Sequence, residues 1–103
     1  MIIYEVNLFI RRDIEAAFRA WLDAHVREIV ALPGFTGASV LDRIEPPGAA
    51  DELVVCTQYR LTDAAALETY LREHAPRMRG DGLARFGDAF RAERRVLAAG
   101  AEY

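Results

Sequence analysis

His25 and His74 are the two histidines of the chain, and histidine is the side chain whose ordinary pKa already lies near neutrality. Each stands one helical turn from an aromatic residue, His25 from Trp21 and His74 from Tyr70. Either can reach a cleft between a helix and a sheet and move a proton there. Either can equally be a hydrogen-bonded histidine of the core. His74 ranks first for chemistry, since Tyr70 shares its helix face. A second constellation is Glu5 with Asn7, two residues apart on an alternating segment, and the adjacent pair Arg94 and Arg95 near the other end of the chain. A carboxylate inside a sheet must be paired, hydrated or protonated. Neighbouring residues of a strand point to opposite faces, so one of the two arginines can meet Glu5. Two outcomes stay open: a polar cavity with Glu5 as a base for a small ligand, or an ion pair that sets sheet register or a dimer. The candidate catalytic residues are therefore His74 and Glu5. The candidate ligand-binding residues are Asn7, Gln58, Tyr59, Tyr70, Trp21 and Arg94.

Other chemistries find no support in the spacing. Two histidines and the single cysteine, Cys56, lie far apart and form no ligand-spaced set, so no metal is expected. Cys56 sits in the apolar run Leu53–Thr57 and reads as a small buried hydrophobe. The segment Gly80–Arg85 fails as a dinucleotide loop, because Arg85 stands where the third glycine belongs and a helix precedes it. These glycines are expected to end a helix. Arg77, Arg79 and Arg85 cluster nearby, either as a solvated surface or as a contact for an anion. No cofactor is expected.

These side chains need elements to hold them. Residues 2–10 alternate, with Ile2, Tyr4, Val6, Leu8 and Ile10 on one side and Ile3, Glu5, Asn7 and Phe9 on the other, which predicts a strand. Asp13 is the expected N-cap of a helix of about five turns, whose stripe runs from Ile14 through Phe18, Trp21, Leu22, His25, Val26 and Ile29 to Val30. Pro33-Gly34 ends it. Residues 35–45 and 53–60 predict a strand hairpin around the turn at 46–51. Thr62 is the expected cap of a second helix with Leu67, Tyr70, Leu71, His74, Ala75 and Met78 inward. Pro76 either kinks that helix or begins a new turn. Residues 83–86 add one more helical turn, and 89–97 predict the last strand.

Strand–helix–strand–strand–helix–strand is the order of a ferredoxin-like α+β domain, here spanning residues 1–97 with a tail at 98–103. Right-handed crossovers give an antiparallel four-stranded sheet in spatial order 4-1-3-2 with two helices on one face. The other face has no cover within the chain. It carries Ile3, Glu5, Asn7 and Phe9, and either Val54, Cys56 and Gln58 or Leu53, Val55, Thr57 and Tyr59. An uncovered apolar face predicts a partner, and a homodimer pairing sheet with sheet satisfies it.

The chain has 103 residues, 52% of them hydrophobic and 28% charged, with a formal net charge of −3. That is one soluble globular domain. All 13 basic residues are arginine, against 16 acidic ones, a balance with no general attraction for nucleic acid or an anionic membrane. There is no signal-like start and no run near the ~20 apolar residues of a membrane span. With one cysteine and no internal disulfide, the expected compartment is the cytoplasm.

Three segments carry a family resemblance: Ile2-Ile3-Tyr4-Glu5-Val6, Pro33-Gly34-Phe35-Thr36-Gly37, and Arg85-Phe86-Gly87-Asp88 leading to Arg94-Arg95-Val96-Leu97. They resemble a small bacterial family known as domain-of-unknown-function family 4286, over nearly the whole chain. The Pro-Gly-Phe link is also similar to that of the wider dimeric α/β-barrel superfamily, which includes antibiotic-biosynthesis monooxygenases and haem-degrading enzymes. The resemblance implies a ferredoxin-like dimer and leaves the reaction open, since one fold hosts many functions. Haem-degrading relatives use a helix histidine as iron ligand, and that role is not carried over to His74. Two functions are expected. The first is a homodimer that binds a small molecule or serves a structural role without catalysis. The second is a cofactor-independent monooxygenase of a small aromatic substrate, with Asn7 and Glu5 positioning it and His74 handling protons.

Overall fold

The computed structural model describes residues 1–103. Its first strand, β1 (Ile2–Arg11), is buried without a break from Tyr4 to Ile10, because it lies inside the sheet with neighbours on both edges. A 3-10 turn at Arg12–Ile14 leads into helix α1 (Glu15–Val30). Asp13 does not cap α1. Its carboxylate instead accepts from Arg11 Nε at 2.7 Å, and Ile14 occupies the capping position without a side-chain bond. The 16 residues of α1 make about four and a half turns. They bury Phe18, Leu22 and Ile29, with Trp21, Val26 and Val30 packed beside them.

At Gly34 the backbone adopts φ 87°, and a Cβ there would stand 2.5 Å from that of Ala66. Only glycine serves both the left-handed turn and the close approach. Strand β2 (Phe35–Asp42) follows, then β3 (Glu52–Leu61). Helix α2 (Ala64–Glu73) is capped by Asp63, whose carboxylate accepts from the Ala66 N–H at 2.8 Å, and not by Thr62. The second predicted helix divides in two. Helix α3 (Ala75–Phe86) starts afresh with Pro76 in its first turn, where the missing N–H costs nothing. It then runs through Gly80 and Gly82 and stops at Gly87, φ 56°. The expected break at Gly80–Gly82 is therefore corrected. Gly82 is buried, and a Cβ on it would meet the Trp21 ring at 3.0 Å and Phe90 at 3.2 Å. The glycine lets α3 lie close to α1 and the sheet.

Strand β4 (Phe90–Ala98) closes an antiparallel sheet of order β2-β3-β1-β4. This is the predicted ferredoxin-like α+β arrangement, with three helices where two were expected. Tyr4 pairs across β1 and β3 with Tyr59, and Val6 with Thr57. Tyr59, Thr57 and Val55 therefore face the helices, and Val54, Cys56 and Gln58 face away. The face away from the helices is less bare than its sequence suggests. Arg91 and Arg43 lay their guanidinium groups over the Phe9 ring, at 3.8 and 4.9 Å from its centre. Glu5, Asn7, Phe9, Val54 and Cys56 are all buried within the single chain. Long arginine side chains cover apolar surface with their stems while keeping their charge in water.

Candidate functional site

Between the helices and the sheet lies a cavity of about 210 Å³. It exists because bulky aromatic residues from five elements meet there without filling the space. Helix α1 contributes Trp21 and His25, whose rings stack 4.3 Å apart at 22°. Their spacing of four puts them on one face of the helix. Strands β1 and β3 contribute Tyr4 and Tyr59, and α2 contributes Tyr70, with ring centres 6.1 Å (Tyr4 to Tyr59) and 5.9 Å (Tyr4 to Tyr70) apart. Phe90 of β4 and Met78 of α3 also line the space. The Tyr4 hydroxyl accepts a hydrogen bond from Arg79 Nη2 at 3.0 Å.

Burial sets the protonation of this wall. Desolvation lowers the His25 pKa below its ordinary 6.5, against the opposing pull of Glu28 and Asp81. The imidazole is thus neutral at physiological pH and able to accept a proton. Desolvation pushes the Tyr70 hydroxyl up to about 12 and raises Tyr59 further still. Both remain hydrogen-bond donors at any ordinary pH.

The second polar centre lies on the opposite face of the sheet. Register places Glu5 between Gln58 on β3 and Arg95 on β4. One carboxylate oxygen accepts from Arg95 Nε at 2.6 Å and Asn7 Nδ2 at 2.9 Å, and the other from Gln58 Nε2 at 3.0 Å. The bond from Arg95 is the largest influence on Glu5 and, with the two amides, holds its pKa near 2 despite burial. A carboxylate that stays ionised so far below neutrality is a poor proton acceptor at pH 7. Cys56 lies beside it, and burial followed by the Glu5 charge pushes its thiol up, away from the reactive thiolate.

The sequence candidates thus fall into three places. Trp21, Tyr59, Tyr70 and Arg94 come together around the cavity. Glu5, Asn7 and Gln58 form the network on the far face, a sheet's thickness away. His74 stands at the junction of α2 and α3, half-buried, with its ring 6.4 Å from that of Tyr70, and is not part of the cavity wall. The histidine in the wall is His25, which the sequence ranking put second. Tyr4 also belongs to the wall and was not singled out as a ligand contact, and Arg79, one of three arginines read as a solvated surface or an anion contact, lines it as well. The alternation of β1 with Tyr4 on its apolar side was the available signal. No group of three or more His, Cys, Asp or Glu residues is placed to hold a metal ion.

Solved structures share this architecture. A candidate antibiotic biosynthesis monooxygenase from Deinococcus radiodurans superposes with a TM-score of 0.72 at 15% identity, over 100% of this chain and 96% of its own. SnoaB, a cofactor-independent oxygenase from Streptomyces nogalater, gives 0.68 at 20% identity, over 98% and 95%. A dimeric ferredoxin-like protein of unknown function from Jannaschia sp. CCS1 gives 0.55 at 17%, over 92% and 98%. At such identities the likeness establishes the fold, that of the ferredoxin-like dimeric α/β-barrel proteins. The family model described as Domain of unknown function (DUF4286) matches residues 1–99, and the chain belongs to this family. None of the curated proteins matches it in sequence. No helix is long and apolar enough to cross a membrane.

Proposed function

We propose that the cavity between helices and sheet binds a small aromatic molecule. The observation that carries this is the wall itself, in which Trp21, Tyr4, Tyr59, Tyr70 and Phe90 surround about 210 Å³. An apolar cavity of about 150 Å³ accepts one benzene ring, so this one has room for a substituted ring. Aromatic faces supply contact area, and the tyrosine hydroxyls supply donors that orient a polar substituent. The chain's one tryptophan lies in the wall, so its fluorescence reports occupancy directly. Titration with phenol and 1-naphthol is expected to quench Trp21 saturably and to raise the melting temperature in step. Absence of both effects at millimolar ligand refutes the proposal.

A second reading is favoured by one specific feature, the neutral imidazole of His25 in the wall. An electron-rich phenol that gives its proton to His25 can pass electrons to O2 without a cofactor. For 1-naphthol, the phenolate transfers one electron to O2 and the radical pair joins at C4. Loss of water then leaves 1,4-naphthoquinone, so the substrate supplies all four electrons and one O2 yields one quinone and one water. The cofactor-independent oxygenase SnoaB shares the fold, and that likeness supports the reading without assigning residues. The expectation is one O2 consumed per quinone formed, in metal-free buffer, lost in His25→Gln. Binding of 1-naphthol with no oxygen uptake leaves the chain a binding protein.

Assembly belongs to the same proposal. We infer a homodimer through the sheet face opposite the helices, where Leu41 is 46% exposed beside the Glu5 network. Dimeric ferredoxin-like neighbours support it.

A further inference from the structure

The cavity wall is not electrically neutral. It includes His25, Arg79, Arg91 and Arg94 and no aspartate or glutamate, although acidic residues outnumber arginines in the chain, 16 to 13; Arg91 is already paired outside the cavity, with Glu93 at 3.0 Å. Most arginines that lie near a carboxylate take it, as Arg95 takes Glu5 and Arg77 takes Glu28. Arg79 makes no ion pair, and its guanidinium donates instead to the Tyr4 hydroxyl at 3.0 Å. Arg94 is left without a partner in the chain, since its neighbour Arg95 occupies Glu5 on the other face of β4. The charge is also unevenly spread. The charged groups acting on His25 are Glu28 and Asp81, whereas those acting on Tyr70 are Arg79, Arg94 and Arg77.

The same two arginines stand where the cavity opens. Arg94 and Val96 project from β4 to the helix side, in register with Val6 and Tyr4, yet both are exposed. The helical roof stops short of the edge strand. Arg79 and Leu83 of α3 are the exposed wall residues across from them.

We propose that the ligand is a single-ring aromatic carboxylate, with its ring against Trp21 and its carboxylate held at the mouth by Arg79 and Arg94. This rests on the aromatic-ligand reading above and narrows it to a substrate class. Guanidinium groups match a carboxylate in charge and in planar geometry, and hydrogen bonds between charged partners are about twice as strong as neutral ones. A protonated tyrosine hydroxyl beside them adds a neutral donor.

The probes are 4-hydroxybenzoate and 4-hydroxybenzamide, which differ in charge and hardly in shape, with Trp21 fluorescence as readout. The carboxylate is expected to bind roughly tenfold or more tightly than the amide. In Arg94→Gln, and separately in Arg79→Gln, the ratio of the two affinities should fall toward one. Arg72→Gln, a charge removed outside the cavity, should keep the ratio. Both variants alter exposed side chains, and circular dichroism confirms their folding. Equal affinity for the two probes in the parent protein overturns the carboxylate inference while the aromatic site stands. A preference that survives both arginine variants overturns the role of these residues. Failure of both probes and of phenol and 1-naphthol removes the aromatic site itself.

Discussion

Glu5 is a buried carboxylate whose neighbours hold it ionised. Three donors converge on it, its charge is held down to about pH 2, and it lies on the far side of the sheet from the cavity. Its contribution to stability has a definite sign. The folded pKa lies below the ordinary 4.5, so the stabilisation is complete above pH 4.5 and is lost as pH falls toward 2. Glu5→Gln is expected to cost about 1–2 kcal/mol near neutrality and to flatten this part of the stability–pH curve. Urea melts of both proteins between pH 2 and 6 check it, and parallel curves would show that Glu5 is not the titrating group. His25 has the opposite need. Its burial favours the neutral ring, so its contribution is present above pH 6.5 and fades as pH falls through the lowered folded value. Sequence spacing put both histidines on apolar stripes. It could not tell them apart, because a stripe some 100° wide leaves open which of its residues looks into a gap and which meets a neighbouring helix.

Helix α3 is the element on which the cavity turns, and its two glycines do different work. Nothing lies within 4 Å of a Cβ placed on Gly80, while one on Gly82 presses on Trp21 and Phe90. Gly80→Ala should therefore stabilise the protein by up to ~1 kcal/mol through helix propensity alone, seen as a rise of several degrees in melting temperature. In Gly82→Ala that gain is offset by displacement of the Trp21 ring into the cavity. Its melting temperature should rise less than that of the Gly80 variant, its Trp21 emission should shift, and its affinity for 1-naphthol should fall. Equal behaviour of the two variants would remove the close-packing explanation. A helix running through both glycines was hidden from the sequence, since glycine ends helices by default and the packing on Gly82 comes from Trp21 of α1 and Phe90 of β4.

The molecule measures 37 × 33 × 18 Å, and its thickness is that of two layers, one of helices and one of sheet. A third layer is missing on the side of Glu5, Leu41 and Phe9. Arginine stems cover part of that side, so burial within the chain is greater than an apolar face awaiting its copy would need, yet Leu41 and Ile44 stay exposed at 46% and 80%. Sedimentation at micromolar concentration should give twice 11.5 kDa. Leu41→Arg should weaken the association at least tenfold with an unchanged circular dichroism spectrum, because an added charge must be desolvated in the interface. A monomeric parent protein at that concentration would mean that the arginines suffice as cover.

What the sequence determined by itself was periodic and local: the order of the elements, the strand alternation that sets Tyr4 apart from Glu5, the stop at Pro33-Gly34, and hence the ferredoxin-like α+β arrangement. Such patterns depend on residues within a turn or two of each other. The site was decided by tertiary structure. Alternation established that Arg94 and Arg95 part company, but only the register of β4 on β1 made Arg95 the partner of Glu5 and sent Arg94 to the cavity mouth. Likewise only the pairing of β3 with β1 turned Tyr59 inward. Register and helix rotation are relations between distant segments, and a one-residue slip reverses every side chain of a strand without changing its local pattern.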